Sequence, residues 1–175
     1  MAMVGLFWIA EGDVYVGAKP SGMAPGVRLT PEGVLGLGDG QSSLHLWEDV
    51  RALTVADVPV KTLMRQVGAA KDMAIGTLLE LALPSGIGPG VDAPALMTVS
   101  VETPEGTHEL STYVAAAVGY SQTEVDLSRT LLTRLTAGAA TLNTTLAAMS
   151  DWGRAWEGGS PRRADREELL RKWLD

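Results

Sequence analysis

The chain has 175 residues, no cysteine, a formal charge of −7, and 46% hydrophobic against 20% charged residues. These values exclude a disulfide framework, a thiolate metal site, a cysteine nucleophile and disorder throughout, and they suit one core with an appendage rather than two enzyme-sized domains. Phosphate backbones and anionic lipid are attracted by clustered Lys and Arg, so residues 1–136, with 15 Asp and Glu against 8 Lys and Arg, disfavour nucleic acid and membrane surfaces.

Met1 to Ala10 is apolar but meets Glu11 and Asp13 too early for a secretory leader or a membrane span, and reads as a first buried strand. Val4 to Ala10 and Asp13 to Val16 are rich in β-branched and aromatic residues, with Glu11-Gly12-Asp13 short enough for a hairpin or a bend. Gly17 to Gly26 carries Pro20 and Pro25 and breaks the ladder. Val27 to Thr30 and Val34 to Leu37 flank the turn Pro31-Glu32-Gly33, which predicts a second hairpin. From Ser42 to Val55 two alternating runs join through an acidic corner. Alternation predicts Leu44 and Leu46 on the core face, with His45 and Trp47 opposite, and Leu53 and Val55 again in the core.

Residues 57–83 place Leu63, Met64, Val67, Met73, Leu78 and Leu79 at spacings that favour helix, and Pro84 to Gly90 reads as a loop. Met97, Val99 and Val101 alternate, Pro104-Glu105-Gly106 turns, and Thr107 to Thr112 returns as a further hairpin. Ser121-Gln122-Thr123-Glu124 has capping-box spacing, so a helix starts there with Val125, Leu127, Leu131, Leu132 and Leu135 as its apolar stripe. Residues 137–175 predict two more helical segments: Leu142, Leu146, Met149, Trp152 and Trp156 recur at three- and four-residue intervals. After Gly158 to Pro161, the stretch Arg162 to Leu174 carries Leu169, Leu170, Trp173 and Leu174.

The chemistry-bearing residues are few. His45 near Glu48 and Asp49, and His108 beside Glu109, suit either a polar site or a solvated strand surface, imidazole being the usual choice for acid-base or metal work. No Gly-x-Ser-x-Gly elbow occurs, and Gly36 to Gly40 is followed by neither Lys-Ser nor a helix, so neither a hydrolase triad nor a phosphate loop is indicated. The acidic residues lack calcium-loop spacing. Trp152, Trp156 and Trp173 with Leu169 and Leu170 form a candidate interaction surface, tryptophan being common among interface anchors; the alternative is a tail folded over its own sheet.

The succession of about seven extended segments and a capped amphipathic helix resembles a bacterial pleckstrin-homology-like domain over roughly residues 4–136. The most suggestive text is Gly26-Val27-Arg28-Leu29-Thr30-Pro31-Glu32-Gly33-Val34 and Leu46-Trp47-Glu48-Asp49-Val50-Arg51, and the Gly-, Ala- and Val-rich wording also resembles proteins of high-GC actinobacteria. The resemblance implies an α+β fold: a bent antiparallel sheet or barrel closed by its helix, here with a helical insertion at 57–83 and a helical tail at 137–175. Members that bind phosphoinositides use basic residues in the first hairpin loop. Glu11-Gly12-Asp13 stands there instead, so head-group binding does not carry over. Eukaryotic members also place a tryptophan in the closing helix, and residues 122–135 have none. The expected protein is a cytoplasmic, non-enzymatic module without a cofactor or transmembrane segment, binding a protein partner or its own copy. The competing expectation is a small-molecule binder or enzyme with a pocket near His45 and His108.

Overall fold

The structure is a computed structural model that describes residues 1–61 and 95–175. From residue 62 onward, the helix expected over 57–83 and the loop after it lie outside the described residues. The described residues form an α+β fold. Six strands, β1 (Ala2–Val4), β2 (Phe7–Ala10), β3 (Asp13–Val16), β4 (Gly26–Leu29), β5 (Gly33–Leu37) and β6 (Ser43–Leu46), make an antiparallel meander in chain order. A second antiparallel sheet holds β7 (Ala52–Ala56), β8 (Leu96–Thr103) and β9 (Gly106–Tyr113). Three helices follow: α1 (Gln122–Leu135), α2 (Ala139–Ala155) and α3 (Arg163–Leu174). Among the described residues the two sheets do not close into a barrel, which corrects that half of the expectation.

The opening strand is divided. Gly5, with φ of +57°, turns the chain between β1 and β2, and its missing side chain admits Ser128 and Leu170. The Ser128 hydroxyl then accepts a hydrogen bond from the Leu6 amide at 3.0 Å. The apolar run Val4 to Ala10 reads as one strand across this break, and Val4, Leu6 and Phe7 are all buried.

Opposed residues of an antiparallel pair share a face, so register defines the core. Across the first sheet, Ile9 pairs with Val14, Val14 with Leu29, Leu29 with Val34 and Val34 with His45. In the second sheet Leu53 pairs with Val101, and Val101 with His108. Each histidine therefore ends a row of buried aliphatic residues. This reverses the face expected for β6: Leu44 is 49% and Leu46 39% exposed, while His45 faces inward. The physical reason is parity. Val34 must face the core and stands opposite His45, whereas Leu44 stands opposite Leu35 on the outer face. Leu53 and Val55 are buried as the alternation predicts.

The helices cover the core at the other end. Ser121 caps α1 with both halves of the capping box present. Val125, Leu131, Leu132 and Leu135 of α1 are buried together with Leu142, Leu146 and Met149 of α2 and Leu170 and Trp173 of α3. Gly153 brings α2 close enough to β2 that any side chain there would overlap Ile9. The tail thus shares one hydrophobic cluster with the sheets.

Candidate functional site

Two places on the surface combine exposed apolar groups with polar ones. The first lies at the rim between the sheets. The imidazoles of His45 and His108 meet with ring centroids 4.5 Å apart and planes tilted by 34°. A cleft of about 380 Å³ opens beside them, bounded by Leu44, Leu46, Asp49, Thr103 and the Pro104-Glu105 turn. Glu48 is exposed in the corner after β6 and does not border the cleft, and Glu109 is also exposed.

A hydroxyl sits against each Nε2. Thr103 Oγ1 donates to the Gly106 carbonyl at 3.1 Å and lies 3.2 Å from His108 Nε2. Ser43 Oγ donates to the Gln41 carbonyl at 3.3 Å and lies 3.2 Å from His45 Nε2. Burial first, and then the neighbouring His108, holds the His45 pKa below its usual 6.5.

The rings meet at a tilt, and no group of three metal-binding side chains occurs among the described residues. Nor, among those residues, does a carboxylate hydrogen-bond either imidazole, as the orienting acid of a Ser-His triad would.

The second place is the groove between the end of α2 and α3. Trp152 and Trp156 stack at 5.3 Å with planes 21° apart, and Trp173 meets Trp152 edge-on at 5.8 Å. Asp165, Glu168, Leu169 and Lys172 lie on one face of α3, at the three- and four-residue steps that align side chains on a helix, and with the indoles they enclose about 300 Å³. Of the five surface candidates, Leu170 and Trp173 are buried within the chain's own core. Trp152 and Leu169 are half-buried, and Trp156 is 38% exposed. Trp156 is held by its indole N–H, which donates to the Gly159 carbonyl at 2.8 Å.

Arg162, Arg163 and Arg166 lie within five residues of one another in the tail, and folding directs Arg163 and Arg166 to different partners. Arg166 Nε lies 2.5 Å from the Glu124 carboxylate, which is fully buried, and its Nη1 donates to the Pro161 carbonyl. Arg163 pairs instead with Glu167. Burial pushes the Glu124 carboxyl up, but the hydrogen bond and charge of Arg166, with the side-chain and backbone hydrogen bonds from Ser121, outweigh it and hold the pKa below 4.5. Sequence reading identified Glu124 as a cap and missed its arginine. Ser-x-x-Glu is a local pattern, whereas an ion pair between distant segments leaves no spacing to read.

No family model matches the chain, and no curated protein or solved structure matches it. Among the described residues, no helix is long and apolar enough to cross a membrane.

Proposed function

We propose that the chain is a non-enzymatic interaction module of pleckstrin-homology-like architecture, in which the Trp152–Trp156 groove receives an apolar segment of a protein partner. The observation that carries the reading is the half-exposed indole of Trp156, stacked on Trp152 beside an open groove, while Leu170 and Trp173 are spent on the core. Asp165 and Glu168 on the groove wall are in no ion pair among the described residues and favour basic residues beside the apolar anchor. The architectural half of the reading is supported by the order of the elements, an antiparallel meander and a long hairpin followed directly by a capped helix. A cysteine-free chain is compatible with a reducing cytoplasm.

The test must leave the tail in place, since removing 139–175 would uncover core residues that pack on Leu142, Met149 and Leu170. Light scattering on the whole chain, with and without Trp156→Ala, reads self-association. Tryptophan fluorescence during titration with a tryptophan-free, leucine-rich basic peptide reads a different partner. The reading expects one of the two signals in the native chain and its loss in Trp156→Ala and Leu169→Ser. A native chain that stays monomeric and ignores the peptide sinks it.

A second reading, a small-molecule binder or enzyme, is favoured by one observation: residues far apart in sequence, His45 and His108, come into ring contact at a cleft. Ligand-dependent shifts of both imidazole signals, lost when the cleft is blocked by Leu44→Arg, would favour it over the first.

A further inference from the structure

The two sheets are fastened unevenly along β9. Toward its C-terminal end they are tied by hydrogen bonds. Gln41 accepts from the Ser111 amide at 2.9 Å and donates to the Ser111 carbonyl at 2.8 Å, Thr112 Oγ1 donates to the Val16 carbonyl at 2.8 Å, and the Ala18 amide donates to the Tyr113 carbonyl at 2.7 Å. Toward its start no hydrogen bond joins residues 106–110 to 43–46 among the described residues, and His108 meets His45 ring to ring. Among the described residues, strand β6 is also the edge of its sheet, paired on one side only. The seam is pinned at one end and closed at the other by two imidazoles.

We propose that the His45–His108 ring contact is a proton-operated closure of this seam: with both rings neutral it holds β6 against β9, and with both protonated it lets them part and the cleft widen. Each Nε2 has a hydroxyl beside it, and protonation turns either ring into a cation with N–H groups on both nitrogens. Two cations at 4.5 Å repel, and the half-buried site screens them less than open water would. The charged groups that share the cleft with the pair are Asp49, from the corner after β6, and Glu105, from the β8–β9 turn. They border the cleft without hydrogen-bonding either ring. The depressed His45 pKa has the same origin, burial followed by the His108 charge.

Only two histidines occur in the chain, so imidazole proton NMR reads the pair without overlap. Coupled groups titrate as a pair. In the native chain the His45 midpoint lies below that of an unstructured histidine, and His108→Gln raises it. Ring-to-ring nuclear Overhauser contacts disappear across the titration, while contacts between Gln41 and Ser111 remain. A His45 midpoint unmoved by His108→Gln overturns the proposal, and so do ring contacts that survive with both rings protonated. The second measurement needs no variant and stands even where a substitution impairs folding.

Discussion

The two ends of the molecule handle buried polarity in opposite ways. At the helical end, Glu124 is fully buried yet receives Arg166 and both groups of Ser121, and the surrounding helices exclude water. At the rim, His45 and His108 end two rows of core residues with hydroxyl partners only, beside an open cleft. A buried charge is tolerated where its counter-charge is fixed by packed helices. A titratable group at the edge of a core remains free to respond to solvent. The difference lies in the partner: a fixed counter-charge where the tail docks, and hydroxyls beside an open cleft where it does not.

The strongest way to break this contrast is to remove one partner at the rigid end. Arg166→Met leaves Glu124 buried and unpaired and should cost roughly 3–5 kcal/mol in urea denaturation at neutral pH, whereas adding Glu124→Gln should recover part of the loss. A loss below about 1 kcal/mol would show that the helical end is looser than its geometry. Next in size is Gln41→Ala, which removes the side chain bridging Ser111 to the carbonyls of Gly26 and Leu37. It should cost roughly 1–3 kcal/mol by the same measurement.

Acid separates the two ends by pH. The folded His45 pKa lies below its unfolded value, so the unfolded chain binds the proton first; the stability His45 contributes is present above about 6.5 and is lost as pH falls below it. The folded Glu124 pKa is also depressed, so its contribution is present above 4.5 and is lost only in stronger acid. Denaturation midpoints measured from pH 8 to pH 3 should therefore decline in two stages, and His45→Gln should abolish the first alone. The smallest effect is expected at Leu44→Ser on the outer face of β6, within about 0.5 kcal/mol of native stability. A larger loss would mean that the outer face is covered.

Much of the fold was legible. The Pro31-Glu32-Gly33 and Pro104-Glu105-Gly106 turns stand where the hairpins turn, and Ser121 with Glu124 starts α1 as its spacing requires. What failed was parity at the edge. Leu44 and Leu46 carry the apolar signal of a core face, but pairing with β5 aims the histidine inward instead. Local alternation states which residues share a face and leaves open which face is buried. The cleft was legible only as two separate histidines. Glu105 and Thr103 join them because the β8–β9 turn lies near the corner after β6, a proximity set by sheet packing. The tail's indoles were read as one surface, yet the helix packing divides them between core and groove.

Glu124 is made 42 residues before the arginine that neutralises it. As a chain grows from its N-terminus, α1 can close its capping box with Ser121 while the carboxylate is still hydrated. In the folded chain that carboxylate is fully buried with Arg166 of α3 as its counter-charge, and Leu170 of the same helix lies against Gly5. The pair therefore couples a cap made within one turn of α1 to the docking of α3, a segment 42 residues further on.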